Sequence, residues 1–219
     1  WTQRYNGAAS NHDIGNSIGV DASGNSYVTG YRTGSGSSDI LTIKYNSSGV
    51  QQWAKSYNGT ANQSDEGNSL VVDPSGNVYV TGSSINTNSN SDYTTIKYNT
   101  AGDQQWVQTY TGQSSSSDVG YDIVIDAQGN AYVTGTAVGS GYDYVTIRYS
   151  STGTRDWVKS YNGIGNSDKG NAITVDGSGN VYVTGESIGT GTNYDYVTIK
   201  YTQSQLFSGK HTKNGLNKT

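Results

Sequence analysis

Acidic and amide side chains recur four times along this chain in a pattern that could bind a cation or the hydroxyls of a sugar. An Asp precedes a Gly by two residues in each copy, and an Asn follows that Asp by three residues in all copies but the third, which has Tyr121. The residues concerned are Asp13, Asp65, Asp118 and Asp168, with Asn16, Asn68 and Asn171. A ring of carboxylates suits calcium or a hydroxyl-rich ligand. The favoured alternative is that each Asp caps backbone N–H groups between repeats.

A second acidic motif has the form Asp-x-x-Gly-Asn and also occurs four times. It reads DASGN at 21–25, DPSGN at 73–77, DAQGN at 126–130 and DGSGN at 176–180. Asp accepts hydrogen bonds from the N–H groups that follow it, and Gly supplies the positive φ of a tight reversal. Calcium is the weaker alternative, because a calcium loop needs more oxygen side chains at close spacing. The motif therefore predicts a turn, and no cofactor is assigned.

A third group pairs tyrosine with aspartate. Each copy has an Asp (Asp39, Asp92, Asp143 or Asp195), and the last two copies flank it with Tyr142 and Tyr144 or with Tyr194 and Tyr196. Aromatic rings stack on sugar faces while carboxylates accept from sugar hydroxyls, so these tyrosines are candidate carbohydrate ligands. Packing at a strand edge is favoured over this, because the motif keeps the phase of the repeat.

Catalytic groups are scarce. The chain has no cysteine and two histidines, His12 and His211, neither of which has a metal-ligand companion at suitable spacing. No nucleophile, base and acid occur in a recognisable arrangement. The sequence predicts a protein that is not an enzyme. The alternative is a metal-dependent hydrolase or lyase that uses the ring of Asp residues, with the metal unassigned.

Composition indicates which elements must position these residues. The 219 residues include 19 Tyr, 4 Trp and 30 Gly, and no segment shows a convincing helical period. Aromatic and β-branched residues favour strands, which predicts an all-β fold. A net charge of −4 argues against nucleic acid as a partner, and no apolar run is long enough to span a membrane.

The whole pattern repeats about every 52 residues, marked by Trp1, Trp53, Trp106 and Trp157. In the second copy the strands are predicted at 68–73, 77–82 and 93–98, with a fourth strand at 51–57 or at its successor 104–110. Four strands per unit at this period are typical of a β-propeller. The Trp residues are expected to pack between neighbouring blades.

The ends of the repeat array predict how the ring closes. Residues 1–201 form the propeller and 202–219 a tail outside the repeat. The opening WTQRYNG matches a fourth strand, whereas the last copy stops after its third. We expect Trp1 to Tyr5 to pair with Thr198 to Tyr201 and complete a four-bladed ring. The alternative is that the four units are part of a larger propeller, or that two chains combine.

The run GNSLVVDPSGNVYVTGSS, followed by DYTTIKYN and WAKSYNG, closely resembles the SBBP repeats of bacterial secreted and cell-surface proteins. The resemblance covers all four copies. It implies a propeller and an extracellular or cell-surface bacterial location, and it brings no catalytic residues.

Function is expected in the loops. Blade-to-blade links such as 58–68 and loops such as 83–92 are predicted at one end of the blades, and the Asp-x-x-Gly-Asn hairpins at the other. Variable loops on a rigid scaffold usually carry binding. The sequence therefore predicts a noncatalytic scaffold or binding module for a protein or carbohydrate at a cell surface. A structural subunit of a surface assembly, with self-association, is a further alternative.

Overall fold

The fold consists of β-strands joined by short turns and links. The computed structural model describes residues 1–7, 11–34, 36–112, 116–139, 141–165, 167–189 and 193–202, which contain no helix. Its fifteen strands are β1 (Asp13–Val20), β2 (Ser26–Thr33), β3 (Ser38–Tyr45), β4 (Gln51–Tyr57), β5 (Asp65–Val72), β6 (Val78–Ile85), β7 (Ser91–Tyr98), β8 (Gln104–Tyr110), β9 (Val119–Ile125), β10 (Ala131–Val138), β11 (Tyr142–Tyr149), β12 (Arg155–Tyr161), β13 (Asp168–Val175), β14 (Val181–Ile188) and β15 (Tyr194–Tyr201).

The strands form four antiparallel sheets, here called blades 1 to 4, one for each sequence repeat. Blades 1, 2 and 3 have four strands each, in chain order, and blade 4 has three. Four strands per unit is thus confirmed for three of the four repeats. In the second unit the observed strands are longer than predicted: β5 begins at Asp65, β6 ends at Ile85 and β7 begins at Ser91.

Each blade packs on the next one through the first strand of the later blade. Strand β5 lies against β1, β2 and β3, and β9 and β13 lie in the same way against blades 2 and 3. The apolar clusters of the core straddle these interfaces: one joins Tyr27 and Ile40 of blade 1 to Leu70 and Val80 of blade 2. The core is therefore a series of similar layers between blades.

Three of the four tryptophans, those on β4, β8 and β12, lie between adjacent blades, as the sequence interpretation expected. Trp53 on β4 lies 6.0 Å from the ring of Tyr27 in its own blade and 6.2 Å from Tyr98 in the next. Its indole N–H donates to the carbonyl of Thr100, 3.1 Å away, in a turn of blade 2. Trp106 repeats the arrangement between blades 2 and 3.

The predicted completion of the last blade is not formed within the described residues. Residues 1–7 contain no strand, and β15 has β14 as its sheet neighbour and no partner on its outer edge. Trp1 instead lies on blade 1, where its ring is 5.9 Å from Tyr45 and its indole N–H donates to the carbonyl of Ser47. Trp53 on β4 makes the equivalent contacts with Tyr98 and Thr100 of blade 2. Trp1 makes its contacts with blade 1 without pairing to blade 4. The pairing of Trp1 to Tyr5 with Thr198 to Tyr201 is thus absent from this fold.

The two ends of the blades carry the loops that the sequence predicts for them. At one end, the Asp-x-x-Gly-Asn turns lie beside the turns between third and fourth strands, as Gly76 does beside Thr100. At the other end, the link after blade 1 approaches the loops between second and third strands, with Gln63 3.4 Å from Ser89. Of the tail at 202–219, residues 203–219, including His211, lie outside the described residues.

The loop predicted at 83–92 is shorter than expected. Strands β6 and β7 extend into it, and residues 86–90 form a tight turn of the same kind as the Asp turns. The side chain of Asn86 accepts from the N–H groups of Asn88 and Asn90 and donates to Asp92, which is buried. Only residues 87–89, at the tip, are exposed in a row.

Candidate functional site

The Asp-x-x-Gly-Asn motif builds a turn in which the Asp side chain is fully engaged. Oδ1 of Asp73 accepts from the N–H groups of Ser75 and Asn77 at 2.9 and 2.8 Å, and Oδ2 accepts from the amide of Asn77 at 2.7 Å. Gly76 has φ +81°, a conformation that glycine adopts without strain. The predicted turn is confirmed, and these carboxylate oxygens face protein donors.

The equivalent turn in blade 1, at 21–25, changes the pKa of its Asp side chain. Burial raises the pKa of Asp21, but hydrogen bonds from Asn25, Tyr27 and Ser23 outweigh it and leave that pKa below its usual value. The carboxylate is therefore stabilised in its charged form by the turn that it organises.

The four Asp residues at the start of the first strands tie the blade links to the blades. Oδ2 of each accepts from the backbone N–H of the Gly that follows the Tyr-Asn or Tyr-Thr pair. Those donors are Gly7 to Asp13 at 2.7 Å, Gly59 to Asp65 at 2.6 Å, Gly112 to Asp118 at 2.5 Å and Gly163 to Asp168 at 2.7 Å. In the middle blades Oδ1 also accepts from the last part of the second strand, at Ile85 and Val138.

This placement is the capping arrangement that the sequence interpretation favoured. Asp65, Asp118 and Asp168 are buried, and burial raises the pKa of Asp65 and of Asp118. Within the described ranges, no group of three or more His, Cys, Asp or Glu side chains is placed to hold a metal ion. Ligand binding by the four carboxylates stays a prediction.

The asparagines three residues on join one blade to the next. The register of the first two strands skips one residue after Gly15 and after Gly67, so Asn16 and Asn68 occupy β-bulges. Their amides donate to the carbonyls of Gly67 and Gly120, both at 2.9 Å, in the following blade. A Cβ on Gly82, opposite the second bulge, would overlap the carbonyl oxygen of Glu66, which explains the glycine there.

Within the described residues, blades 3 and 4 lack this hydrogen bond from an Asn amide to the following blade. Tyr121 replaces the Asn in blade 3, and the ammonium of Lys169 in blade 4 lies 4.2 Å from its ring centroid, so a cation–π contact takes the place of the amide bond. Asn171 in blade 4 is exposed and makes no side-chain hydrogen bond to the described residues.

The tyrosines of the Tyr-Asp motif fall into two environments. Tyr144 is fully buried: its ring is 5.6 Å from Tyr161, and its hydroxyl lies 3.5 Å from the carbonyl of Val197 in blade 4. Its ring contacts protein on all sides and is closed to a ligand in this fold. Tyr142, Tyr194 and Tyr196 are exposed, and carbohydrate binding by these three stays a prediction.

One polar residue that the sequence interpretation overlooked links three blades. Asp122, on β9, accepts from the hydroxyl of Ser69 in blade 2 at 3.0 Å and from the backbone N–H of Ile173 in blade 4 at 2.9 Å. The available signal was a charged residue within the otherwise apolar first strand of a unit.

A groove of about 290 Å³ lies between the first residues of the chain and blade 1. Trp1 and Tyr5 form one wall, and Ile14, Ile18 and Val28 belong to the other. The groove is mainly apolar and lies on the face of blade 1 that corresponds, in blades 2 to 4, to the face packed on a preceding blade.

A family model described as a beta-propeller repeat, SBBP, matches this chain four times, over residues 1–39, 52–88, 105–143 and 156–191. The chain belongs to the SBBP family. Each of the last three matches begins in the fourth strand of one blade and runs through the first two strands of the next blade. The matched stretches therefore include the Asp-x-x-Gly-Asn turns, the bulges and the links between blades described above.

Other comparisons add little to the SBBP assignment. No curated protein matches the chain. Among solved structures, the tail fiber of Staphylococcus aureus phage P68 aligns with a TM-score of 0.30 and 10% identity, over 88% of this chain and 51% of that one. The chain thus spans about half of that neighbour, and the similarity carries no functional argument. The described residues include no helix long and apolar enough to cross a membrane.

Proposed function

We propose that this SBBP chain is a noncatalytic binding module whose ligand surface is the end of the blades that carries the links. The observation that supports this proposal is that the polar residues shared by the repeats bond within the fold, whereas those that differ between repeats lie in exposed links and loops. All four Asp residues at the start of the first strands and two of the three Asn residues that follow them bond to the protein backbone, as Asp65 and Asn68 do. The positions that the repeats share therefore serve the scaffold. The segments that differ between repeats, the links and the loops between second and third strands, lie at one end of the blades.

The chemistry of that end favours a hydroxyl-rich partner. The link after blade 1 and the turn at 86–90 of blade 2 expose uncharged amide and hydroxyl side chains: Asn58, Thr60, Asn62, Thr87, Asn88 and Ser89. Amides and hydroxyls both donate and accept hydrogen bonds, which suits carbohydrate. A carbohydrate, or a protein displayed beside it at a bacterial cell surface, is the partner that we propose, and an extracytoplasmic location belongs to the same proposal.

The test measures binding of the purified chain to immobilised oligosaccharides and to bacterial cell envelopes. Replacing Thr87 and Asn88 by alanine should weaken saturable binding at least about tenfold, with unchanged circular dichroism. A matched control replaces Ser23 and Ser75, which are exposed at the opposite end of the blades, and should bind as the native chain does. Equal affinity of both double variants, or no saturable binding to either surface, would contradict the proposal.

A further inference from the structure

The first and last blades expose faces whose counterparts are buried everywhere else in the molecule. On the first strands, Ile18 of blade 1 is 68% exposed, whereas the residues at the same repeat position in the later blades are 5–8% exposed: Leu70 7%, Ile123 5% and Ile173 8%. All four are branched aliphatic residues, so what differs is that no blade among the described residues packs in front of β1.

Blade 4 shows the opposite face of the same interface. Tyr196 is 97% exposed, whereas its equivalents Tyr93 and Tyr144 are 0% exposed. Thr184 is exposed as well, although Thr81 and Thr134 at the same position are fully buried. An almost wholly exposed tyrosine at a position that is otherwise a core position marks an interface that lacks its other half.

The internal interfaces identify what each exposed group would contact. The hydroxyl of Tyr93 donates to the carbonyl of Val145 in the next blade at 3.0 Å. The repeat places the carbonyl of Leu41 in blade 1 at the corresponding position for Tyr196. By the same correspondence, the amide of Asn171, which has no partner among the described residues, matches the carbonyl of Gly15, as the amide of Asn68 matches that of Gly120.

The first residues of the chain already occupy the place of a preceding blade's outer strand. Trp1 sits on Tyr45 and donates to Ser47 as Trp53 and Trp106 do on the blades that follow them. Between this segment and blade 1 lies the apolar groove of about 290 Å³. The outer edge of β15 is unpaired within the described residues, and an open strand edge is a site for pairing with another chain.

We propose that this chain associates head to tail with a second copy of itself through these two faces. Blade 4 of one copy packs on β1 of the next as blade 3 packs on blade 4 within the chain, and the Trp1 segment of the second copy lies along β15 as its fourth strand. The occupant is a second copy because both complementary faces are exposed at once in a single chain, so they are free to meet between molecules. Such a contact is heterologous and generates either a ring or a filament.

The test uses two charge substitutions and one matched control. Ile18→Lys alters the blade 1 face and Tyr196→Lys the blade 4 face, while Ile164→Lys alters a link residue that is 70% exposed, close to the 68% of Ile18. In sedimentation velocity the native chain and Ile164→Lys should show a mass above the 23.2 kDa of one chain. Each face variant alone should associate at least about thirtyfold more weakly, as expected for an interface hot spot.

A mixture of the two face variants gives a sharper result. Ile18→Lys retains an intact blade 4 face and Tyr196→Lys an intact blade 1 face. A 1:1 mixture should therefore form a dimer of one chain of each kind, at concentrations where each variant alone is monomeric. A native chain that stays monomeric, or a mixture that behaves as its separate components do, would overturn the proposal.

Disulfide trapping separates association from closure of a single chain. The chain has no cysteine, and a Cβ on Gly67 would lie 2.6 Å from Oγ1 of Thr29 across an internal interface. The corresponding terminal pair is Gly15 and Thr184. Differently tagged Gly15→Cys and Thr184→Cys chains should form a mixed disulfide on oxidation. If the double variant instead forms its disulfide within one chain, the faces meet intramolecularly and the second-copy proposal is wrong.

Discussion

Removal of one turn carboxylate, in Asp73→Ala, should destabilise the fold by a predictable amount. Asp73 accepts from two backbone N–H groups and from the Asn77 amide. The donor of Ser75 is exposed, so water replaces the lost bond there at little cost. The amide of the Asn77 side chain can turn towards solvent. The backbone N–H of Asn77 is partly buried and keeps no good partner.

The loss in unfolding free energy should therefore be that of one unsatisfied buried donor, about 1–3 kcal/mol. For a domain of this size each kcal/mol lowers the melting temperature by roughly 2–4 °C. We expect a fall of roughly 2–12 °C by differential scanning calorimetry, with the same slope in urea unfolding. Ligand affinity should not change, because the turn lies at the end of the blades away from the links.

The chain offers its own control for this prediction. Asn46 and Asn99 hold the equivalent turns between third and fourth strands, where each side-chain oxygen accepts two backbone N–H groups at 2.8–3.0 Å. Asp73→Asn should accordingly retain most of the stability that Asp73→Ala loses. If alanine and asparagine were equally destabilising, charge rather than hydrogen bonding would hold the turn. If neither substitution changed the melting temperature, the hydrogen bonds of the Asp73 side chain would not stabilise the turn.

Three further predictions concern packing, backbone strain and pH. Trp106→Ala should lower the free energy of unfolding, measured in urea, by about 3–5 kcal/mol, because the indole packs between two tyrosine rings. Trp1→Ala should lower it by less than about 2 kcal/mol, because Trp1 is 66% exposed. Equal losses would contradict the role of Trp106 between blades. Ser89 has φ +63° where the Asp turns have glycine, so Ser89→Gly should raise stability by up to about 1 kcal/mol, measured as a higher melting temperature; a decrease would refute the strain. The pKa of Asp21 is lower in the fold than its ordinary value, so its stabilisation is complete above about pH 3.9 and is lost as the pH falls through the folded-state pKa. Asp21→Asn should therefore flatten the loss of stability below about pH 3.9, and an unchanged pH profile in that range would contradict this.

Local features of the fold could be predicted from the sequence because their causes are local. The Asp-x-x-Gly-Asn turns depend on hydrogen bonds across four residues, such as those of Asp73 with Ser75 and Asn77. Strand alternation and the repeat phase then indicated the sheets. The loop at 83–92 was predicted too long because Asn86 makes the same kind of turn without the Asp and Gly that mark it elsewhere.

The candidate ligand residues were harder to assign, because a carboxylate looks the same in sequence whether it faces a ligand or a backbone N–H. The position of Asp65 against Gly59 and Ile85 depends on where a link crosses the end of a strand. Asn16 and Asn68 reach the next blade because each lies in a β-bulge. The position of a bulge depends on the register of two strands, which the sequence repeat does not reveal. Tyr144 and Tyr196 lie in identical YDY motifs, yet one is buried and the other exposed.

By itself, the sequence determined the all-β class, the four units, their turns and the residues that pack between them, since these follow from backbone hydrogen bonding and from side-chain alternation within each unit. Only the tertiary structure decided which of the repeated faces are covered. Ile18 and Ile173 are the same residue at the same position of two repeats, and one is exposed while the other lies in a core. Burial depends on the neighbour that packs against a face, and among the described residues β1 of blade 1 has no preceding blade against it and blade 4 has no following one.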